Sequence, residues 1–232
     1  NEMKARVQEA DETVPEMIDG YLYYMRTEKG KEYPIHCRKY EYIDDEEEVI
    51  LDENEAAQGN IFFKVSMVRP SPDHSMLMYL ADTDGSERHT LFIKDLETGE
   101  LLPDRILNTH DAEWGNDGTT IIYSTMGPDY RPDKVWRHEL GKNPKEDELV
   151  YHEKDPGFYY LEVSKTKSRE FILITVESAT TSEIQYVSAD DPRSEFKLFC
   201  PRIHGVTYFV LHWDGRFYIV TNENAVNFKI ME

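Results

Sequence analysis

Short apolar runs alternate with polar, turn-forming stretches along the whole chain, and this alternation repeats five times. The clearest copy spans Arg69 to Thr109. It holds a tight turn at Pro72-Asp73-His74, an apolar run from Met76 to Ala81 and a polar loop. A second run from Thr90 to Leu96 and a turn at Glu97-Thr98-Gly99 complete it. Runs of this length, bounded by turn residues, predict β-strands.

Aligned on their first tight turn, the copies begin at Asp19-Gly20, Asp73-His74, Asn116-Asp117-Gly118, Lys167-Ser168 and Asp214-Gly215, spaced 54, 44, 51 and 46 residues apart. Asp-Gly and Asn-Asp-Gly tolerate the positive φ of tight hairpins. A strand is expected after each turn, at Tyr21 to Arg26, Met76 to Ala81, Thr120 to Thr125, Glu170 to Val176 and Arg216 to Thr221. Third strands are expected at Tyr33 to Arg38, Thr90 to Leu96, Lys134 to Leu140, Glu183 to Ala189 and Ala225 to Met231. Fourth strands fall at Glu48 to Asp52, Glu148 to His152 and Glu195 to Pro201, with a weaker one at Gly99 to Pro103. Inner strands precede four of the turns, at Phe63 to Val68, Asp111 to Gly115, Tyr159 to Ser164 and Thr207 to Trp213.

The unit is therefore a four-stranded antiparallel meander of about 45 residues, the blade of a β-propeller. Sandwiches space their strands regularly too, but they do not repeat a four-strand unit at this period. The fold class is all-β. The fifth copy stops at Glu232 before its fourth strand, so the expectation is about four and a half blades of a larger ring, carried by a longer protein. Unpaired edges would make such an arc, if isolated, prone to pair with a second copy. One helix is expected, from Asn1 to Asp11, with Met3, Val7 and Ala10 on one face and Pro15 ending the segment.

Composition sharpens this picture. Aromatic residues reach 12%, including 15 Tyr and 10 Phe, which suits a strand-rich core. There are 46 acidic against 26 basic residues, a net charge of −20. That field repels phosphate backbones and disfavours nucleic acid as a partner. It would attract cationic ligands. The segment Glu41 to Glu55 contains no Lys or Arg, and its Asp44 to Glu48 run is expected to be a solvated loop before the strand Val49-Ile50-Leu51. No apolar run approaches the ~18 residues of a membrane-spanning helix, and no membrane partner is expected. Cys37 and Cys200 lie far apart in strand-like stretches. Both are expected to be small buried hydrophobes, and a reducing cytoplasm is the expected location.

Candidate chemistry is sparse. The nucleophile elbow G-x-S-x-G does not occur. Gly85-Ser86-Glu87 comes nearest, and it sits in a loop between two strands. The eight His residues, at 36, 74, 89, 110, 138, 152, 204 and 212, form no metal-ligand spacing. Most are expected to be exposed or hydrogen-bonded in strands. Asp82, Asp84 and Glu87 lack a calcium-loop pattern and read as a polar loop. Trp114, Trp136 and Trp213 are expected to pack between blades. No catalytic, cofactor-binding or metal residue is assigned, and no cofactor is expected.

The wording of the repeats resembles the oligopeptidase B (protease II) branch of the prolyl oligopeptidase family of serine peptidases. The matching segments are Glu2 to Pro15, Tyr21 to Arg38, Asp84 to Asp95, Glu97 to Arg105, Asp147 to Asp155, Thr180 to Glu183 and Ala189 to Pro192. Two departures stand out: Leu22 where the family often has an aromatic, and no Gly at the turn Lys165 to Arg169. The resemblance implies a seven-bladed propeller paired with an α/β-hydrolase domain bearing Ser, Asp and His outside this sequence. Residues 1–13 would be the end of a connecting helix and 14–232 a partial propeller. That propeller would gate the entry of short peptides, basic ones containing Arg or Lys above all. Without the resemblance, the alternative is a stand-alone propeller scaffold for protein–protein interaction.

Overall fold

The structure, a computed structural model, describes residues 9–232, and strands dominate it. The helix expected over Asn1 to Asp11 falls mainly outside the described residues. Glu12, just beyond it, forms an antiparallel bridge with Arg26.

The described residues divide into two compact units. The first, within residues 1–65 and 83–86, is one antiparallel sheet in the order β1 (Glu16–Ile18), β2 (Tyr21–Arg26), β3 (Ile35–Tyr40), β4 (Glu48–Asp52). β1 was not foreseen, and it completes the first blade. Its hairpin to β2 turns at Asp19 and Gly20, with φ of 48° and 87°, because Ile18 pairs directly with Tyr21. Two consecutive positive φ values make the tight turn whose twist matches the strands. Tyr24, Ile35 and Cys37 form the buried core of this sheet.

β3 begins two residues later than expected. The Glu32 and Tyr33 amides both donate to Asn54 Oδ1, and Pro34 has no amide to give to a ladder. Asn54 lies in an unforeseen one-turn helix, Glu53–Ala56, capped by Asp52, whose Oδ1 accepts the Asn54 amide at 2.8 Å. Nor is the acidic run wholly solvated. Glu47 pairs with Arg26 and accepts from the Tyr24 hydroxyl, while Glu48 pairs with Arg38 at 2.7 Å.

The second unit, residues 66–82 and 87–232, holds the remaining blades. A seven-stranded sheet runs β5 (Lys64–Pro70), β6 (Met76–Asp82), β7 (His89–Asp95), β8 (Leu101–Trp114), β9 (Thr120–Met126), β10 (Pro132–Glu139), β11 (Glu148–His152). It is two blades sharing one strand. The first part of β8 pairs with β7 as the outer strand of the second blade, and the last part pairs with β9 as the inner strand of the third. Asn108, at φ 61°, bends the chain between the two halves.

The fourth blade is β12 (Tyr160–Lys165), β13 (Phe171–Glu177), β14 (Ser182–Ser188), β15 (Lys197–Leu198). The fifth is β16 (Tyr208–Trp213), β17 (Arg216–Thr221), β18 (Lys229–Met231). β15 and β18 are shorter than the apolar pattern suggests. Residues 225–228 form a turn instead, closed by the Phe228 amide on the Ala225 carbonyl.

Sheet faces bury alternate residues against neighbouring blades. Ile121 joins a core with Met78, Leu80, Leu91, Ile93 and Trp114, while the adjacent Ile122 joins Val135, Val163, Ile172 and Ile174. Leu173 points the other way, to Ile184, Tyr208 and Val210. Each large aliphatic side chain buried this way contributes ~1.5–3 kcal/mol, which holds blade to blade.

Trp114 and Trp136 pack as expected, but Trp213 does not. With Phe209 and Leu211 it lies on the outward face of β16 and is 63% exposed, because no further sheet among the described residues covers that face. Cys200 also departs from expectation: it lies outside the strands and is half-buried, whereas Cys37 is fully buried. Burial pushes the Cys37 thiol up to about 11, which keeps it inert.

The turns between inner and second strands are closed by side chains. Asp117 Oδ1 accepts the amides of Thr119 and Thr120, and Asp73 Oδ1 accepts the Ser71 hydroxyl and the Ser75 amide. In the fourth blade Arg169 takes the left-handed conformation, φ 62°, where the resemblance expects glycine. Gly115 opens the third-blade turn beside Pro192. A Cβ there would lie 2.6 Å from Pro192 Cγ and 2.9 Å from Asp117 Oδ1. Since Asp117 is fixed by three hydrogen bonds from Thr119 and Thr120, Gly115→Ala should destabilise by about 1–3 kcal/mol. An unchanged thermal midpoint would show that the ring can yield.

Candidate functional site

In a radial arrangement the first strand of each blade lies nearest the axis, so in the second unit β5, the end of β8, β12 and β16 are the elements that face any channel. Polar side chains of the first three form one charged array. Arg69 on β5 pairs with Glu113 on β8, lies 3.6 Å from Asp111, and donates to the Ala112 carbonyl at 2.9 Å. Trp114 Nε1 donates to the Arg69 carbonyl at 3.2 Å, tying the buried indole to the same strand. On β12 the Tyr160 hydroxyl donates to Glu162 at 2.7 Å, and Lys165 Nζ donates to Asn116 Oδ1 at 3.0 Å.

Burial sets the electrostatics here. It raises the Asp111 carboxyl, and the nearby Arg69 guanidinium only partly offsets this. Burial also lowers the Lys165 ammonium to about 8, helped by the like charges of Arg169 and Arg69. The Tyr160 phenol is held above its ordinary value by burial and by Glu162. Such an array can hydrogen-bond and orient charged groups. It offers no nucleophile paired with a base.

Ser168, His212 and Glu170 come nearest to a catalytic triad, and their geometry is wrong. Ser168 Oγ lies 2.9 Å from His212 Nδ1, and Glu170 Oε1 approaches that same nitrogen at 3.4 Å. A proton relay needs the hydroxyl and the carboxylate on opposite ring nitrogens. His212 instead packs its buried ring on Phe171 and Phe217, at centroid distances of 4.8 and 4.6 Å. It is a structural histidine.

The other sequence candidates are turn formers. The Ser86 amide donates to Asp84 Oδ1 at 2.9 Å, and the Glu87 amide donates to the buried Asp82 at 2.8 Å. Among the described residues no three His, Cys, Asp or Glu side chains converge as metal ligands. His36, His138 and His212 are buried in strands with hydrogen-bond partners, His36 reaching Glu53 at 2.7 Å, while His74 is buried in a turn. Sequence reasoning passed over Arg69, Asp111, Glu113, Glu162 and Lys165. Asp111, Glu113 and Glu162 are polar positions on expected inner strands, whereas Arg69 and Lys165 lie one residue beyond the expected bounds, on strands that run past them.

The family described as prolyl oligopeptidase, N-terminal beta-propeller domain, matches residues 1–232. Protease 2 of Moraxella lacunata is 41% identical over 237 residues, covering 99% of this chain and 34% of that protein. Dipeptidyl aminopeptidase BI of Pseudoxanthomonas mexicana is 34% identical over 249 residues, covering 100% of this chain and 34% of that protein. Oligopeptidase B from Leishmania major superposes with a TM-score of 0.92 at 31% identity, covering 99% of this chain and 33% of that one. The chain thus spans about a third of the length of these relatives.

Proposed function

Because the chain belongs to the N-terminal β-propeller family of prolyl oligopeptidases, we propose that it is part of a propeller that admits short peptides to an α/β-hydrolase domain outside these residues. The observation that carries this reading is the family match along the whole of 1–232, joined to the oligopeptidase B likeness in both sequence and fold. A size filter acts sterically and requires a stiff wall rather than a reactive side chain. The continuous cores between neighbouring blades in the second unit provide that stiffness.

The peptides favoured are basic. A net charge of −20 raises the local concentration of cationic peptides, and carboxylates on the inner strands offer them partners. Steering of this kind is screened by salt. In the complete protein, kcat/KM for a dibasic peptide should fall several-fold between about 0.05 and 0.5 M salt, while that for a neutral peptide changes little. Parallel salt profiles for the two substrates would sink the steering reading.

A further inference from the structure

The most enclosed titratable group in the second unit is His138 on β10, which has no exposed surface. Both of its ring nitrogens face carboxylate oxygens: Nδ1 lies 2.8 Å from Asp147 Oδ1, and Nε2 lies 3.0 Å from Asp104 Oδ1. The two carboxylates are themselves buried and already act as acceptors. Asp104 Oδ1 takes the Gly141 amide at 2.7 Å, and Asp147 Oδ2 takes the Tyr123 hydroxyl at 2.7 Å.

A neutral imidazole has one N–H and one lone pair. Between two acceptors it would set a lone pair against a carboxylate oxygen, around a ring that has no exposed surface. With both ring protons present, every group in the chain Tyr123–Asp147–His138–Asp104–Gly141 has a partner of the right kind.

We propose that Asp104, His138 and Asp147 form a proton-operated clasp between the second and third blades, closed while the imidazole carries both ring protons. Asp104 lies on the outer-strand half of β8, His138 and Tyr123 lie in the third blade, and Asp147 ends the 3-10 turn Pro144–Glu146. The clasp therefore pins that turn and the 141–147 connection to the blade junction. A cavity of about 260 Å³ borders it. The other charges facing this cavity are matched among themselves: Arg137 with Glu148 at 2.7 Å, and Lys142 and Arg193 with Glu139 at 3.1 and 3.6 Å. Glu146 also lines the cavity. An imidazolium between two carboxylates leaves the clasp with one net negative charge, and its loss of a proton leaves two.

An imidazole that binds its second proton more tightly when folded contributes stability that is full below the unfolded value of about 6.5 and is lost as pH rises through the folded one. Asp147→Asn removes the requirement for that proton: the amide Nδ2 donates to Nδ1, its carbonyl still accepts from Tyr123, and a neutral ring donates Nε2–H to Asp104. The test is made on the complete protein labelled with [15N]histidine. His138 should show two protonated ring nitrogens at about pH 7.5, where an isolated imidazole has lost one. A pyridine-type nitrogen in the wild type at that pH would overturn the proposal, whatever the variant does. In thermal unfolding, the midpoint of the wild type should fall relative to D147N by at least about 2 °C between roughly pH 6 and 9. Midpoints that track together across the series would also overturn it.

Discussion

Replacing Trp114 with alanine is expected to destabilise the second unit by about 3–5 kcal/mol, the range for deleting a buried large aromatic. Trp114 is 2% exposed at the end of β8, packed with Leu80, Leu91, Ile106 and Ile121 between the second and third blades. The loss is compound. A cavity opens in a core whose walls are strands and cannot close around it, and the Arg69 carbonyl loses its indole donor. Because Arg69 also positions Asp111 and Glu113, the charged inner array should loosen together with the core. Thermal unfolding of the complete protein is the measurement, at roughly 2–4 °C per kcal/mol for a unit of this size. Trp114→Phe should recover most of the packing but not the hydrogen bond. A Trp114→Ala loss below about 1 kcal/mol would mean that the blade junction repacks freely, contrary to this account.

Arg202→Met should cost about 2–3 kcal/mol, for a different reason. Arg202 follows the fourth blade and reaches across to the third. Its guanidinium pairs with Glu153 and, at 2.9 Å, with Glu183, donates to the Tyr151 hydroxyl at 2.9 Å, and stacks 3.8 Å over the Phe158 ring. Methionine keeps much of the apolar stem but leaves the Glu153 carboxylate, 6% exposed, without its cation. The upper end of the range for a broken buried pair is discounted because the Arg202 side chain is 28% exposed to solvent.

Burial alone would raise the Glu153 carboxyl, yet Arg202, the Asp155 amide and the Tyr151 hydroxyl together hold it below the usual carboxylate value. A depressed carboxylate contributes stability that is present above the unfolded value of about 4.3 and is lost as pH falls through the folded one. The wild-type advantage over Arg202→Met should therefore shrink on acidification. Arg202→Met combined with Glu153→Gln should restore part of the loss at neutral pH. A double variant as unstable as the sum of the two single changes would show that the pair is not coupled.

The strand pattern was legible because its causes are local. Three of the five tight turns were readable from Asp-Gly or Asn-Asp-Gly, and those at Asp73-His74 and Lys167-Ser168 from the apolar runs that follow them; β2, β4, β11 and β17 match the expected bounds. Where bounds failed, a distant partner had intervened. Asn54 and Pro34 delay β3, and β8 runs through what looked like two strands because both its halves find partners. Trp213 looked like core because an apolar run on a strand does not reveal which face another sheet will cover.

The candidate site was hardly legible at all. Single carboxylates such as Asp111 or Asp147 carry no sequence signal. Their meaning comes from Arg69, 42 positions earlier, or from His138 and Asp104 on other strands. What the sequence alone determined was the blade and its repetition, since φ preferences and apolar alternation act over a few residues, and the wording that resembles one peptidase family. What the tertiary structure decided was which charges meet. Enclosure of His138 between two carboxylates, the reach of Arg202 from blade to blade, and the misplaced Ser168–His212–Glu170 contact all depend on strands brought side by side. Burial then gives those meetings their energy, because a charge that water would screen must there find its partner within the protein.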